Sequence, residues 1–467
     1  MLILAIKTIN SIARVKKPPA AKSAGSRIAI GEQEGGVTLA AGLCFAVKRA
    51  AKPIGAALVA AALLTSCSAH SNAFAPVENA LNNGDPERAE SELSAKTPDD
   101  ADLLMYELNK GLILQIGGKY KESLQSFENA KTLVNEYDAA SVSEQLTATL
   151  TNDTMIAYYG EDYERLYLHF YAAASYLMLG DLTGARVEMA QANELIKGFK
   201  GKYQDDGAAR YLSALIYDAL GETSSAMVSY RQAIRAYRDQ AGMNGAPSAL
   251  MIDALRYAKR YGGAGEAAKY EKQFGGEIAK KAAEAGGKNT GEVVAIVSSG
   301  FAPIKLSHKQ LYPAPAGALV SWVEIALPYH QARSRGDFTA QIDGAASSAE
   351  MVSNVSALFT QAFDEKQTEV IARAITRAVA KKAAEYAARQ ASGGKNTSAG
   401  SLAAVAMFLV NAATEVADTR SWLALPDRIY FVRARLPAGV HKLRVNNKEY
   451  EINIEEGKRT FFVTRVF

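Results

Sequence analysis

The chain has 467 residues, 48% hydrophobic, 22% charged and 8% aromatic, a globular balance that excludes wholesale disorder and collagen-like structure. Its 2 cysteines exclude a multi-disulfide scaffold and a Cys-rich zinc fold. The net charge of +4 comes from the leader: residues 1–66 hold 9 Lys/Arg and 2 Asp/Glu, so the chain from Cys67 onward is −3 and a nucleic-acid reading loses its main support.

Residues 48–67 read KRAAKPIGAALVAAALLTSC. Lys48, Arg49 and Lys52 form a positive n-region, and Ile54 to Leu64 form an apolar run of 11 residues. That is too short for a membrane span, which needs about 20 residues, and suits a secretory signal. Leu64-Thr65-Ser66-Cys67 resembles the bacterial lipobox. The resemblance implies cleavage before Cys67 and acyl chains on its thiol and amine, anchoring the chain to a membrane. Ser68, which is not Asp, points to the outer membrane. Residues 1–46 fit a signal peptide poorly, whereas a start at Val47 gives a compact one covering 47–66.

A tether (67–75) precedes a helical segment over 76–279. Gly111, Leu114, Gly118, Tyr120, Ser123, Phe127 and Ala130 recur at fixed offsets as Ala173, Tyr176, Gly180, Leu182, Ala185, Met189 and Ala192. They recur again as Ala214, Tyr217, Gly221, Thr223, Ala226, Tyr230 and Ala233. Small residues let two helices approach, bulky ones fill between them, and the glycine ends the first helix in a left-handed conformation. This resembles the tetratricopeptide repeat (TPR), whose unit is about 34 residues. Fainter units surround Gly84 and Gly263, with insertions at 134–160 and 195–207. Such units stack into a solenoid. The resemblance places a partner groove on the first-helix face, at Tyr167, Phe170, Met178, Tyr211 and Asp218. The Tyr163, Tyr167, Tyr171 stripe reads more readily as core than as a binding surface.

A Gly/Ala/Lys-rich linker (280–291) leads to an α+β C-terminal domain (292–467). Strands are predicted over 292–297, 319–327 and 338–342, a long helix over 348–390, and a strongly apolar helix over 401–417 closing a helical hairpin. Four segments then alternate: RIYFVRAR (428–435), VHKLRVN, KEYEINIEE and KRTFFVTRVF, with turns at Asn446-Asn447 and Glu456-Gly457. They predict a small antiparallel sandwich. LPAGVHKLRV is similar to an edge seen in PEGA-type β domains. The fold class is mainly α: a TPR-like α-solenoid followed by antiparallel strands and a helical hairpin.

GEDYERLYLHFYAAASYLMLGDLTGARVEMAQA and ATEVADTRSWLALPDRIYFVRARLPAG, behind a lipobox, resemble a family of proteobacterial TPR-containing lipoproteins. Asp162 to Arg165 and Asp418 to Pro426 carry most of that likeness. The family brings no catalytic residues to carry over. The chain itself shows no HExxH, CxxC, G-x-S-x-G or Walker loop, so no enzyme, cofactor or metal is expected. The acid pairs Asp99-Asp100, Glu161-Asp162 and Asp205-Asp206 read as solvated surface groups. The expected function is a non-enzymatic scaffold for cell-envelope assembly. It would sit on the outer membrane facing the periplasm, held by acyl chains at Cys67, and bind periplasmic or outer-membrane proteins through its repeats. The alternative is an envelope polysaccharide- or peptidoglycan-binding lipoprotein that uses the β domain, which solvent-facing Trp322 and Trp422 would favour. A hydrolase would need His308, His330 or His441 clustered with carboxylates.

Overall fold

Glycines at 84, 118, 180 and 221 all adopt φ between 73° and 77°, where a Cβ is strained. Each closes the same turn. The amides of Asp85, Lys119, Asp181 and Glu222 reach back five residues to the carbonyls of Ala80, Leu114, Tyr176 and Tyr217, the bond that ends a helix on a left-handed residue. In this computed structural model, which describes residues 69–150, 156–284, 289–316, 319–333, 338–391 and 416–467, the four turns join four helix pairs. These are α1 (Ala69–Asn82) with α2 (Pro86–Ser94), α3 (Leu103–Ile116) with α4 (Tyr120–Leu150), α5 (Asp162–Met178) with α6 (Leu182–Ile196), and α7 (Gly207–Ala219) with α8 (Thr223–Ala236). Asp85, Asp181 and Asp206 cap the helices that follow them through their carboxylates. Gly111 shows why a small residue opens the repeat: a Cβ there would lie 2.5 Å from the Phe127 ring. Helices α9 (Ser248–Tyr257), α10 (Ala264–Phe274) and α11 (Gly276–Ala283) complete the array, with a π-helical turn over Ala258–Gly262 between α9 and α10.

Two four-stranded sheets follow. The first has the order β10-β1-β7-β6, formed by β10 (Arg459–Val466), β1 (Thr290–Ser299), β7 (Arg428–Pro437) and β6 (Ala349–Asn354). The second has the order β5-β4-β8-β9, formed by β5 (Ala345–Ser347), β4 (Ala340–Ile342), β8 (Gly439–Val445) and β9 (Lys448–Ile454). Alternation along each strand decides what it meets. Val294, Ile296, Ile429 and Phe431 join the core of the helices, while Val293, Ala295, Val297 and Val432 pack on Leu443, Val445, Ile452 and Ile454 of the second sheet. The first sheet is thus covered on both faces, by helices and by a sheet, and the described residues from Ala69 to Phe467 belong to one compact unit.

Three expectations change. Strand β10 runs parallel to β1, with Val294 opposite Phe461, so the strands are not all antiparallel. Residues 349–354 form β6 rather than the start of a helix, because Ala349 to Asn354 pair with β7 through a bulge at Met351/Ser353. The long helix is α12 (Val355–Ala391). A strand absent from the sequence reading, β2 (Ile304–Ala316), forms a 13-residue ladder with β3 (Leu319–Gln331), and α12 packs against it through Ala374 and Ala378 on Val323, Ile325 and Leu327. Of the helix expected over 401–417, residues 401–415 lie outside the described residues, as does Cys67, and Val416 and Ala417 are irregular. No helix of the described residues is long and apolar enough to cross a membrane.

Candidate functional site

The first-helix face of the repeats is where a partner groove was expected, and the chain's own first sheet lies across it. Tyr167 donates to Ser353 Oγ of β6 at 2.6 Å, and the Val463 amide of β10 contacts Met178 Sδ at 3.1 Å. The Tyr211 ring sits 5.4 Å from Phe431 of β7, and its hydroxyl accepts from Arg433. Asp218 pairs with Arg459 of β10 at 3.0 Å. Phe170 packs between the rings of Tyr167 and Tyr171, 5.5 Å from each. Tyr163, Tyr167 and Tyr171 are all buried.

At one end of this contact the apolar pattern gives way to charge. Arg433 reaches Asp253 at 2.5 Å and also binds Glu292, and Arg459 holds the other oxygen of Glu292 at 2.8 Å. Burial pushes the Glu292 carboxyl up, but the two guanidinium groups overcome it and hold the pKa well below the usual range. The carboxylates of Asp218 and Asp253 are shared with Tyr257 and Tyr211. A cavity of about 510 Å³ opens beside the network.

The other end joins the segments Asp162–Arg165 and Asp418–Pro426. Glu161 caps α5 and Glu164 completes a capping box with it. Glu164 also accepts the Trp422 amide at 2.8 Å and the Tyr158 hydroxyl; burial raises its pKa. Burial likewise pushes the Glu161 carboxyl up, but Lys305 at 3.0 Å and Lys366 at 2.5 Å outweigh it and hold it at about 2. Arg420 lies over the Tyr158 ring and binds Asp418 and the carbonyls of Ala101 and Ile156. Trp422 is buried edge-on against Phe127 and Tyr171. Glu161 and Asp206 are therefore not solvated surface acids. Asp206 accepts from Ala209 and Tyr203, and burial, only partly offset by these donors, raises its pKa to about 6.

The histidines are dispersed among local roles. His441 uses both ring nitrogens, on Asp343 at 2.7 Å and the Pro437 carbonyl at 2.8 Å. His330 lies edge-on to Phe359 and Phe363, and His308 to Tyr329. His169 contacts Glu188 at 2.9 Å, so it does more than pack. Ser298 meets Tyr171 rather than a base. Among the described residues no three His, Cys, Asp or Glu side chains are placed to hold a metal. Trp322 is 61% exposed on β3, while Trp422 is core, so the aromatic platform that a glycan reader needs is reduced to one indole.

No family model matches the chain, and no curated protein matches it. Solved structures with some likeness include MamA from Desulfovibrio magneticus RS-1 (12% identity, TM-score 0.29), which covers 45% of this chain and 93% of that one. BtubC from P. vanneervenii is 13% identical with a TM-score of 0.31 over 45% of this chain and 80% of that one. A Podosopora anserina putative kinesin light chain with nearly identical TPR-like repeats is 16% identical with a TM-score of 0.31 over 47% of this chain and 98% of that one. Each overlaps less than half of this chain, and the repeat reading rests on the four turns and helix pairs described above.

Proposed function

We propose that this chain is a lipoprotein anchored through Cys67 to the outer membrane on its periplasmic side, and that it acts there as a non-enzymatic scaffold for envelope proteins. The observation that carries the scaffold reading is the repeat array with its first-helix face filled by its own sheet. On the opposite side, the second helices α6 and α8 keep apolar side chains in solvent. Val187 of α6 and Val228 of α8 stand at the same position after their turn glycines and are 42% and 48% exposed, which suits contact with a protein partner. The lipobox LTSC at 64–67 supports the anchor, and anchoring concentrates the scaffold near membrane-bound partners.

Two experiments test this. Cys67→Ala should leave an unprocessed precursor that takes up no palmitate label. A variant that is still processed and still fractionates with the outer membrane would refute the anchor. Photo-crosslinkers at positions 187 and 228 should trap proteins in cells, whereas crosslinkers at the covered positions 170 and 211 should give internal products. The reverse pattern refutes the scaffold face.

A further inference from the structure

The cavity beside the ion network holds more positive charge than its carboxylates can use. Five cations line it (Arg256, Arg260, Arg435, Lys458 and Arg459) against three carboxylates, Asp218, Asp253 and Glu292, and Lys458 is taken up by a fourth, Glu455, at 2.6 Å. Those three are engaged from behind. Glu292 lies between Arg433 and Arg459, Asp253 is held by Arg433, and Asp218 is held by Arg459 and Tyr257. What remains for Arg256 is a 3.7 Å approach to Asp253 and a carbonyl, Ala282 O. Among the described residues neither Arg260 nor Arg435 has a carboxylate within ion-pair distance. Burial lowers the pKa of Arg256, and Asp253 and Glu292, set against the nearby Arg435 and Arg433, do not restore it.

The backbone that presents these cations is itself irregular. Arg260 and Tyr261 sit in the π-helical turn Ala258–Gly262. Such widened turns are rare and frequently mark functional sites. Here the turn puts the Tyr257 and Tyr261 rings 5.3 Å apart at the cavity wall, with Arg260 over Tyr261. Across the opening, Gly291 runs so close to the β9–β10 turn that a Cβ would lie 2.2 Å from the Glu455 carbonyl, which fixes the position of Lys458. Guanidinium groups bind carboxylate and phosphate oxygens in pairs, and about 510 Å³ falls within the range of small-molecule sites.

We infer that this cavity binds a small polyanion, a phosphate ester or a di- or tricarboxylate, between Arg260 and Arg435, with Arg256 at its inner end. The double variant Arg260→Gln/Arg435→Gln alters two exposed side chains outside the buried network, and far-UV circular dichroism checks that it folds. Titration calorimetry on the processed chain with sodium pyrophosphate and, separately, citrate should show saturable one-site binding to wild type. The double variant should bind the preferred anion about tenfold more weakly or worse, as two charge-assisted contacts are lost. Stronger binding of pyrophosphate assigns a phosphate ester, and stronger binding of citrate a polycarboxylate. Equal affinity in wild type and variant, or no saturable heat below about 1 mM of either anion, overturns the site. The chloride salt of matching ionic strength must give no heat, otherwise the effect is general screening.

Discussion

Replacing Arg433 by Met tests whether the sheet is seated firmly on the repeats. Arg433 lies on the helix-facing side of β7, its side chain only 9% exposed, and binds Asp253, Glu292 and the Tyr211 hydroxyl. Met fills much of the same volume but removes the fork. Glu292 keeps Arg459 at 2.8 Å, whereas Asp253 retains only Tyr211 at 3.3 Å and a 3.7 Å approach from Arg256. Removing one partner from a buried ion pair costs about 3–5 kcal/mol, because the other charge stays behind. Urea unfolding followed by circular dichroism should therefore show one transition, shifted down by that amount, since helices and first sheet share a core. Arg444→Met provides the control. It breaks an exposed pair between Arg444 of β8 and Glu449 of β9 and should leave the midpoint in place. A loss below about 1 kcal/mol for Arg433→Met, well under the buried-pair range, refutes the seating. So does a second transition in which the helices melt at the wild-type midpoint.

Two buried acids give opposite pH dependences. Glu161 has a folded pKa of about 2 against 4.5, so its contribution, about 3 kcal/mol at 1.36 kcal/mol per unit, is present above pH 4.5 and lost as pH falls toward 2. Glu161→Gln should flatten that acid limb in denaturant titrations between pH 2.5 and about 5. Asp206 is raised from 3.8 to about 6, so its contribution is full below pH 3.8 and fades as pH rises through 6. Asp206→Asn, which can still cap α7 through its oxygen, should gain stability relative to wild type above pH 6, by about 3 kcal/mol at most. Gly180→Ala meets nothing within 4 Å and suffers only its φ of 75°, so it should lose about 1 kcal/mol. Gly111→Ala drives a Cβ into the Phe127 ring and should lose more, about 1–3 kcal/mol. Equal losses for the two glycines would show that the repeat spacing does not control packing.

The repeat half was legible because its signals are local. A turn glycine and a small residue opposite a bulky one lie within about one repeat of each other. The sheet half was legible in part, because period-two alternation shows which residues share a face without showing what covers it. Arg433, Arg459 and Glu292 alternate with apolar neighbours, yet their side of the strands meets the helices. Strand β2 was missed because Pro313 and Pro315 argue against a strand. It tolerates them because its ladder runs only to β3, leaving an edge that needs no donor. The pairing of β1 with β10 joins Glu292 to Arg459 across most of the C-terminal half, and no short-range pattern encodes a partner that distant. The distinctive segments around Glu164 and Trp422 stood out in the sequence, but their meeting through one carboxylate depends on the fold.

The first-helix face is filled by the chain's own sheet. Val294, Ile296, Val352, Ile429, Phe431 and Phe461 of the sheet are buried in the core of the helices. At about 1.5–3 kcal/mol each, six such side chains represent roughly 9–18 kcal/mol, an upper range because the unfolded chain already hides part of its surface. A peptide bound with micromolar affinity supplies about 8 kcal/mol and competes against an occupant that is covalently attached and always present. Displacing the sheet would also strand Arg433, Arg459 and Glu292, whose network closes only when sheet and helices meet. The expected groove residues Tyr167, Phe170, Met178, Tyr211 and Asp218 thus form the seat of the chain's own sheet, and the proposed partner face and anion site both lie outside that seat.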